Sequence, residues 1–403
     1  MKINLPEDVV DIISKLTENG YEAYAVGGCV RDSILCRVPG DWDITTSARP
    51  EEVKELFRRT IDTGIEHGTV TVMIGQNGYE VTTYRVDGEY EDGRHPKNVE
   101  FTGNLREDLR RRDFTINAMA YNETDGMVDM FDGQGDIERR LIRCVGNPVE
   151  RFTEDALRML RAVRFSAQLG FDIEQSTANA IRELAHTIAK ISQERIHTEI
   201  GKTLLSPHPD YFVRAYEYGI TKIVFPVFDK IRDKENVLKL LTKVPGELYY
   251  KYATLFIETS EKEAEAMLKT LKLDNDTINK TVCLVKYHRM EVILDEVGVR
   301  VLINKLGATK VDSILVFEKE YYDVVGDSEL AEKIRQMRIL YDTIITRGDC
   351  TDIKNLAITG SDLIERGIAP GKEMGIMLKK CLQNVLEHPE NNTKDILLKQ
   401  LNI

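Results

Sequence analysis

A glycine pair followed by two closely spaced aspartates is the feature that most constrains this chain. Gly27 and Gly28 end the short, mostly apolar run from Tyr21 to Val26, which predicts a strand entering a turn. Because glycine has no side chain, the backbone at such a turn can approach a phosphate closely. Asp41 and Asp43 are two positions apart, so on a strand both carboxylates would point to one side and share a divalent metal ion. The combination predicts nucleotidyl transfer.

Each part of this motif also has a simpler interpretation. A Gly-Gly pair is usually only a turn, and an isolated Asp-x-Asp often lies in a solvated loop; their combination favours catalysis. Arg31, where a helix could begin, would then give its guanidinium fork to a triphosphate, while Asp41 and Asp43 hold Mg²⁺. Trp42 lies between the two carboxylates, so on a strand it would face away from them and pack in the core.

Several segments resemble, in the same order, the motifs of the class II tRNA nucleotidyltransferases, which are the CCA-adding enzymes and their bacterial poly(A) polymerase relatives. They are spread over about half of the chain. They are YAVGGCVRD (Tyr24 to Asp32), GDWDITTSARPEEV (Gly40 to Val53), RRRDFTINAMAYN (Arg110 to Asn122), EDALRMLRAVRF (Glu154 to Phe165) and SQERIHTEI (Ser192 to Ile200). A weaker similarity to the tail of the bacterial form covers Thr359 to Leu363 and Pro370 to Lys372.

The distribution of strand and helix patterns predicts an α+β protein. Up to about residue 140, helical patterns mix with short strand runs, which are Tyr24 to Val26, Thr69 to Ile74, Tyr79 to Tyr84 and Val99 to Phe101. Beyond Arg151 the strand patterns nearly vanish. The resemblance implies a nucleotidyltransferase head of polymerase-β-like α/β fold, followed by all-α domains. The expected boundaries are 1–140 for the catalytic head, 141–205 for a neck that recognises the base, 206–300 for an RNA-binding body, and 301–403 for a tRNA-binding tail.

Composition and cysteine spacing argue against a membrane protein and against a cysteine-bound metal site. No apolar stretch is long enough to span a bilayer and the N-terminus lacks a signal-peptide core, so we expect a cytoplasmic protein without a membrane partner. The six cysteines show no metal-binding spacing, which favours free thiols. A net charge of −12 argues against a nucleic-acid partner, but arginines cluster in the first half, where they could form a local positive groove.

A third acidic residue follows the aspartate pair. In the candidate strand Tyr79 to Arg85, Glu80 lies on the same face as Thr82 and Tyr84, so it could orient or deprotonate a primer hydroxyl, or equally be a surface residue. The stretch from Arg85 to Pro96 is rich in glycine and charge and predicts a mobile loop. It resembles the flexible loop of CCA-adding and A-adding enzymes.

The segment from Arg111 to Met119 begins basic and becomes apolar. This pattern predicts a helix whose start faces a polyphosphate and whose remainder enters the core. The resemblance implies that Arg112 contacts the nucleotide. Asp113 could either contact the sugar or cap a helix.

The segment from Glu154 to Phe165 carries the base-recognition hypothesis. At helical spacing its apolar residues form one face and its charged residues the other. Asp155 could accept a hydrogen bond from the amino group of cytosine or adenine, and Arg158 could donate to a ring nitrogen or carbonyl. The alternative is a simple salt bridge between these two neighbours on a solvated helix face. Arg161 and Arg164 would assist through base or phosphate.

The resulting expectation is a template-independent enzyme that adds C, C and A to the 3′ end of tRNA from CTP and ATP with Mg²⁺. An A-adding enzyme is the nearest alternative. A poly(A) polymerase is disfavoured because it typically carries an arginine-rich run where this chain has Thr63 to Val70. A non-catalytic RNA-binding protein on the same scaffold is the alternative from another class. The sequence leaves the oligomeric state open.

Overall fold

The computed structural model describes residues 2–88 and 99–403. The chain forms two compact units, Met1–Lys230 and Ile231–Ile403. All of the candidate site residues belong to the first unit. Across the described ranges, no helix is both long enough and apolar enough to cross a membrane.

The strands of the described residues all lie in the first unit. They are β1 (Ala23–Val26), β2 (Ile44–Thr46), β3 (Thr60–Gly64), β4 (Thr69–Ile74), β5 (Asn77–Thr83), β6 (Arg85–Asp87), β7 (Val99–Phe101), β8 (Met119–Asn122), β9 (Gly126–Asp129), β10 (Leu141–Ile142) and β11 (Asp172–Ile173). Seven form one sheet in the order β3-β4-β5-β2-β1-β8-β9, in which only the central pair β2 and β5 is parallel. β6 pairs with β7, and β10 with β11.

Helices pack against this sheet and form most of the rest of the first unit. They are α1 (Glu7–Glu18), α2 (Gly28–Ile34), α3 (Pro50–Leu56), α4 (Leu105–Arg110), α5 (Gly133–Arg139), α6 (Pro148–Glu154), α7 (Leu157–Leu169), α8 (Gln175–Leu184), α9 (Gln193–Leu204), α10 (Val213–Glu217), α11 (Thr221–Val224) and α12 (Pro226–Asp229). Short 3₁₀ helices lie at Ile65–His67, Thr115–Asn117, Ala185–Lys190 and Pro209–Phe212.

Burial explains why β1 has a continuous apolar sequence. All four of its residues are buried, and β2 and β8 flank it on either side. A strand covered on both faces has no solvent side, so it does not alternate between polar and apolar residues. Tyr24 and Val26 belong to an apolar cluster that also contains Tyr84, Leu109 and Ala120. The end of β1, where the glycine turn begins, is therefore held by the centre of the sheet.

The second unit is helical. Its helices are α13 (Lys234–Lys243), α14 (Leu248–Leu255), α15 (Glu261–Thr270), α16 (Asn275–Tyr287), α17 (Glu296–Leu306), α18 (Ala308–Val325), α19 (Ser328–Arg347), α20 (Gly360–Ile364), α21 (Lys372–Glu387) and α22 (Lys394–Gln400). They pack around two apolar clusters. One contains Val299, Phe317 and Met337, and the other contains Leu363 and Cys381.

The predicted α+β class is confirmed, with a mixed sheet in the head and helices beyond it. The predicted strands Thr69 to Ile74 and Val99 to Phe101 have the same bounds as β4 and β7. The predicted loop from Arg85 to Pro96 is wrong at its start, because Arg85–Asp87 pairs with Val99–Phe101 as β6. Its remainder from residue 89 onward lies outside the described residues.

The helix predicted from Arg111 to Met119 is also wrong. Helix α4 ends at Arg110, and the chain then turns at Arg111 and bends through Asp113. Phe114 is extended, and one 3₁₀ turn leads from it into β8. The backbone finds its partners in a distant segment, because Thr115 N donates to Arg143 O at 2.9 Å and Val145 N donates to Asp113 O at 3.1 Å. These long-range bonds replace the local bonds that a helix would need.

Candidate active site

The glycine turn places its backbone close to the guanidinium of Arg112. Gly27 follows β1 with φ +84° and ψ −127°, a conformation open to glycine, and α2 begins at Gly28. A Cβ atom on Gly27 would lie 3.0 Å from Nη1 of Arg112. Gly27 N donates to Met119 O at 3.1 Å, which fixes the turn against β8. The turn and Arg112 therefore form one continuous surface.

The two aspartates lie beside this turn. Val26 N donates to Asp43 O at 2.9 Å, so the end of β1 holds the segment that carries them. Among residues 2–88 and 99–403, neither Asp41 nor Asp43 has an ion-pair or hydrogen-bond partner for its carboxylate. Burial raises the pKa of Asp43 to about 6; the negative charges of Asp41 and Glu80 add to this, and Arg112 opposes it. The site thus concentrates negative charge, and no cation of the described ranges pairs directly with either carboxylate.

The expectation that both aspartates lie on a strand is wrong. β2 begins only at Ile44, and Asp41 to Asp43 form the irregular segment before it. Trp42 is consequently not part of the core. It is partly exposed, and it lines the same cleft as Asp41 and Asp43. A strand would have pointed the indole to the opposite side, but this segment does not alternate.

Glu80 lies next to Asp43. β2 and β5 pair in parallel with Ile44 opposite Val81, so the residues that precede each of these are also neighbours. Glu80 is exposed. It lines a cleft of about 680 Å³ together with Asp41, Trp42 and Asp43. The structure therefore brings the three acidic candidates to one cleft.

The carboxylates of Asp41 and Asp43 could together bind a divalent metal ion. Within the described ranges, no group of three or more His, Cys, Asp or Glu residues is arranged to hold a metal. Two carboxylates without protein partners are nevertheless the usual protein contribution to a Mg²⁺ site, since substrate phosphates and water complete its coordination. The donor set of Asp41 and Asp43 is oxygen only, which suits a hard cation.

Asp108 is a site residue that the sequence reasoning missed. It is fully buried, and Arg111 donates to it through Nη2 at 2.7 Å and Nε at 3.0 Å. Nη2 of Arg112 lies 3.6 Å from its other carboxylate oxygen. Burial would raise the pKa of Asp108, but the two arginines outweigh it and hold the pKa below its ordinary value. Asp108 thereby positions Arg112 beside Gly27.

A chain of hydrogen bonds links Arg31 to Arg161. Nη1 of Arg31 donates to Asn117 Oδ1 at 2.7 Å, and Asn117 Nδ2 donates to Asp113 Oδ1 at 3.2 Å. Arg161 Nε donates to Asp113 Oδ2 at 2.7 Å. Burial would raise the pKa of Asp113, but the positive charges of Arg161 and Arg158 lower it to about 2. Asp113 does not cap a helix, because the turn that follows it has no side-chain cap.

Phe165 is the centre of the arginine cluster. The guanidinium carbons of Arg31 and Arg161 each lie 5.2 Å from its ring centroid, and that of Arg164 lies 4.2 Å away. The ring faces attract cations and hold these three side chains near one another. Arg164 is buried and pairs with buried Glu199 at 2.8 Å. The sequence singled out the three arginines but neither Phe165 nor Glu199.

Asp155 and Arg158 occupy different positions from those predicted. The segment is not one helix: α6 ends at Glu154 and α7 begins at Leu157, with Asp155 extended between them. Asp155 Oδ1 accepts from Leu157 N at 2.9 Å, and its Oδ2 pairs with Arg195 at 2.7 Å. Arg158 pairs with Glu154 and donates to Arg111 O at 3.0 Å. The i, i+3 salt bridge is thus not the arrangement found.

Cys29, inside the glycine motif, fills space. It is 2% exposed, and burial raises the pKa of its thiol to about 11. A thiol that stays protonated at neutral pH is a poor nucleophile. All six cysteines of the chain are unpaired.

Three family profiles match consecutive parts of the chain. The Poly A polymerase head domain matches residues 23–143. The profile described as "Probable RNA and SrmB- binding site of polymerase A" matches residues 170–232, and tRNA nucleotidyltransferase domain 2 matches residues 248–401. The first match contains the glycine turn, both aspartates and Arg112.

Full-length relatives narrow the family further. The CCA-adding enzyme of Lactiplantibacillus plantarum is 39% identical over 400 residues, which are 96% of this chain and 93% of that protein. The CCA-adding enzyme of Enterococcus faecalis is 38% identical over 408 residues, covering 97% and 94%. The crystal structure of the Bacillus stearothermophilus CCA-adding enzyme in complex with CTP superimposes with a TM-score of 0.76 at 31% identity, covering 98% of this chain and 96% of that one. The chain belongs to the CCA-adding enzymes, within the class II family of tRNA nucleotidyltransferases.

Proposed function

We propose that this chain adds C, C and A to the 3′ end of tRNA from CTP and ATP. The observation that carries the proposal is the pair Asp41 and Asp43 beside the turn at Gly27, two carboxylates that have no partner among residues 2–88 and 99–403. The choice of substrates rests on the chain's membership of the family and on its similarity to the CTP-bound Bacillus stearothermophilus enzyme. The reaction is attack of the terminal 3′-hydroxyl of the RNA on the α-phosphorus of the nucleotide, with pyrophosphate leaving.

Nucleotidyltransferases of this family are generally metal-dependent, and the ion proposed here is Mg²⁺. Asp41 and Asp43 would hold it. When bound, Mg²⁺ supplies Lewis-acid polarisation of the phosphate oxygens and a lowered pKa for the attacking hydroxyl. Glu80, exposed in the same cleft, is placed to orient that hydroxyl or to accept its proton.

The turn and Arg112 are the proposed triphosphate site. Gly27 and Gly28 present backbone without side chains, and Arg112 Nη1 lies directly over the turn. Nε of Arg112 is buried, and no hydrogen-bond partner for it lies within the described ranges. An anionic oxygen would complete the bonding of this guanidinium. Arg31 would contribute a second positive charge, oriented by its bonds to Asp32 and Asn117.

The base would be read beside this triphosphate site. Asp155 can accept from the amino group of cytosine or adenine, and Arg158 can donate to the ring. Both are half-buried and linked to other polar groups, so their side chains are held in place. Arg161 and Arg164 would assist through base or phosphate, and Asp113, paired with Arg161, could also reach the sugar.

Gly27→Ala is expected to raise the KM for CTP and ATP by roughly 10- to 150-fold, because the added Cβ would displace Arg112 and remove a charge-assisted contact of about 1.5–3 kcal/mol. Steady-state kinetics with each nucleotide measure it. The matched control is Gly20→Ala. Gly20 has a similar φ of +87° but no atom within 4 Å of the added Cβ, so it reports backbone strain alone. Equal KM changes in the two variants would refute the role of Arg112.

Arg158→Lys is expected to relax selection of CTP and ATP over UTP and GTP by roughly 5- to 150-fold, because one base contact discriminates by about 1–3 kcal/mol and lysine lacks the planar fork. The ratios of kcat/KM for the four nucleotides measure it. Arg151→Lys is the matched control, since Arg151 also pairs with Glu154. Unchanged nucleotide preference in Arg158→Lys, or the same change in Arg151→Lys, would contradict base reading.

An A-adding enzyme remains the second candidate function, and one substrate series separates the two. tRNA that ends at the discriminator base and tRNA that already bears CC are each offered CTP and ATP, separately and together. A CCA-adding enzyme extends the shorter tRNA by C, C and A. An A-adding enzyme extends only the CC-bearing tRNA, and a poly(A) polymerase adds more than one A to it.

The division of the chain into four functional parts also belongs to this proposal. A catalytic head to residue 140 and a base-reading neck to 205 would precede a body to 300 and a tail to 403 that bind tRNA. Location in the cytoplasm stays a prediction from the sequence.

A further inference from the structure

Trp42 lies where no catalytic or packing role accounts for it. It is partly exposed between Asp41 and Asp43 and lines the cleft of about 680 Å³ that contains both carboxylates. Among residues 2–88 and 99–403, its ring has no aromatic or cationic neighbour and its indole nitrogen no hydrogen-bond partner. The part of the indole that is exposed is costly to leave in water, and it offers a flat apolar surface to a ligand.

The cleft is not the proposed triphosphate site. Besides the segment from Gly40 to Asp43, it is lined by Gln76 and by residues 77–80 of β5. Gly27, Gly28 and Arg112 are not among the residues that line it. Tyr79 is fixed there, because its hydroxyl donates to Asp8 at 2.7 Å. The cleft therefore offers room beside the carboxylates that the triphosphate does not require.

The second substrate must also reach these carboxylates. Its 3′-hydroxyl is the attacking group, and the nucleoside that carries this hydroxyl brings its base within a few ångströms of the metal site. The terminal base of the primer is the discriminator base before the first addition and C before the second and third. A contact that tolerates every base is therefore needed. Stacking on an aromatic ring meets this requirement, because every base has a π-face.

We propose that Trp42 is the stacking platform for the terminal base of the RNA primer, and this rests on the proposed function. The incoming nucleotide is the less suitable occupant, since its base must be distinguished by hydrogen bonds and stacking on an indole distinguishes little. Trp42 is a positioning residue: by holding the last base, it places the 3′-hydroxyl toward Asp41, Asp43 and Glu80 for attack.

The first test uses the fluorescence of the native protein. Trp42 is the only tryptophan of the chain, so indole emission reports on this position alone. The full chain is titrated, without nucleotide, with tRNA ending in CC and with the same tRNA carrying an abasic 3′-terminal residue. We expect quenching by the first RNA, clearly less by the second, and none by CTP or ATP alone. Equal quenching by both RNAs, or quenching by free nucleotide, would overturn the proposal.

The second test separates primer binding from nucleotide binding. Trp42→Ala is expected to raise the KM for tRNA by roughly 5- to 150-fold, the equivalent of about 1–3 kcal/mol per stacked base, with the KM for ATP within about twofold of native. Trp42→Phe, which keeps a smaller ring, should recover most of the loss. An unchanged KM for tRNA in Trp42→Ala would overturn the stacking role. If the native protein adds no nucleotide at all, the proposed function fails, whereas the quenching experiment still tests Trp42.

Discussion

Replacing Asp41 by alanine is expected to lower nucleotide transfer by at least about a thousandfold. The carboxylate is one of only two proposed protein ligands for the metal, and losing about 4 kcal/mol of transition-state stabilisation corresponds to that factor. Binding of tRNA should be largely retained, because most of its contacts would lie elsewhere on the chain. Release of labelled pyrophosphate measures transfer, and fluorescence anisotropy with labelled tRNA measures binding.

Two further variants make this result specific. Asp41→Asn keeps the shape and removes the charge, so it should lose nearly as much activity as Asp41→Ala. Asp11→Ala removes an exposed carboxylate of the same unit on α1 and should leave transfer unchanged. Turnover in Asp41→Ala within tenfold of native would refute the metal assignment. Loss of tRNA binding in parallel with activity would point instead to a misfolded head.

Replacing Glu199 by alanine is expected to destabilise the first unit by about 3–5 kcal/mol. Glu199 pairs with Arg164 at 2.8 Å, and both side chains are more than nine-tenths buried. Burial lowers the pKa of Arg164, and the positive charges of Arg161 and Arg31 lower it further, while Glu199 opposes this. Without Glu199 a buried guanidinium would remain among like charges, which is the costly way to break a buried pair.

Urea denaturation followed by tryptophan emission measures this change. Because Trp42 is in the first unit, its signal follows the unfolding of that unit. The control is Glu183→Ala, which removes an exposed glutamate on α8 and should change stability by no more than about 0.5 kcal/mol. If Glu199→Ala shifts the transition no more than Glu183→Ala does, the pair contributes nothing to the fold. If Arg164 also contacts the nucleotide, Glu199→Ala will lose activity at urea concentrations at which the protein is still folded.

The sequence predicted those parts of the site that depend on neighbouring residues. The strand before Gly27 and the position of the turn follow from a short apolar run and a glycine pair. The strands β4 and β7 follow from local composition, and their bounds are correct. Glu80 could be placed near Asp43 only as one of two interpretations, because the register between β2 and β5 is set by the sheet and not by either strand alone.

Contacts between distant segments could not be predicted. Glu199 meets Arg164 because α7 packs on α9, and no local pattern connects them. The basic-to-apolar pattern after Arg111 predicts a helix, but the backbone of this segment bonds to residues 143–145 instead. Asp108 is the exception among the missed residues. Its spacing of three and four from Arg111 and Arg112 is a helical pattern that could have found it.

Trp42 was predicted wrongly for a similar reason. Alternation holds only inside a strand, and β2 begins two residues after Trp42. The same error concerned Asp155, which lies between α6 and α7 and not on a helix face. Trp42 precedes β2, and Asp155 precedes α7, whereas the sequence patterns placed each residue within its element. Boundaries are the least predictable part of an element, and here they decide where two proposed site residues point.

The most direct test of the central claim is a measurement of metal binding at Asp41 and Asp43. Mn²⁺ replaces Mg²⁺ as a spin probe, and electron paramagnetic resonance counts the bound ions with and without a non-reactive CTP analogue. We predict that the native protein binds Mn²⁺ more tightly with the analogue, and that a variant carrying both Asp41→Asn and Asp43→Asn loses this binding while it stays folded. Equal Mn²⁺ affinity in the native and doubly substituted proteins would contradict the account.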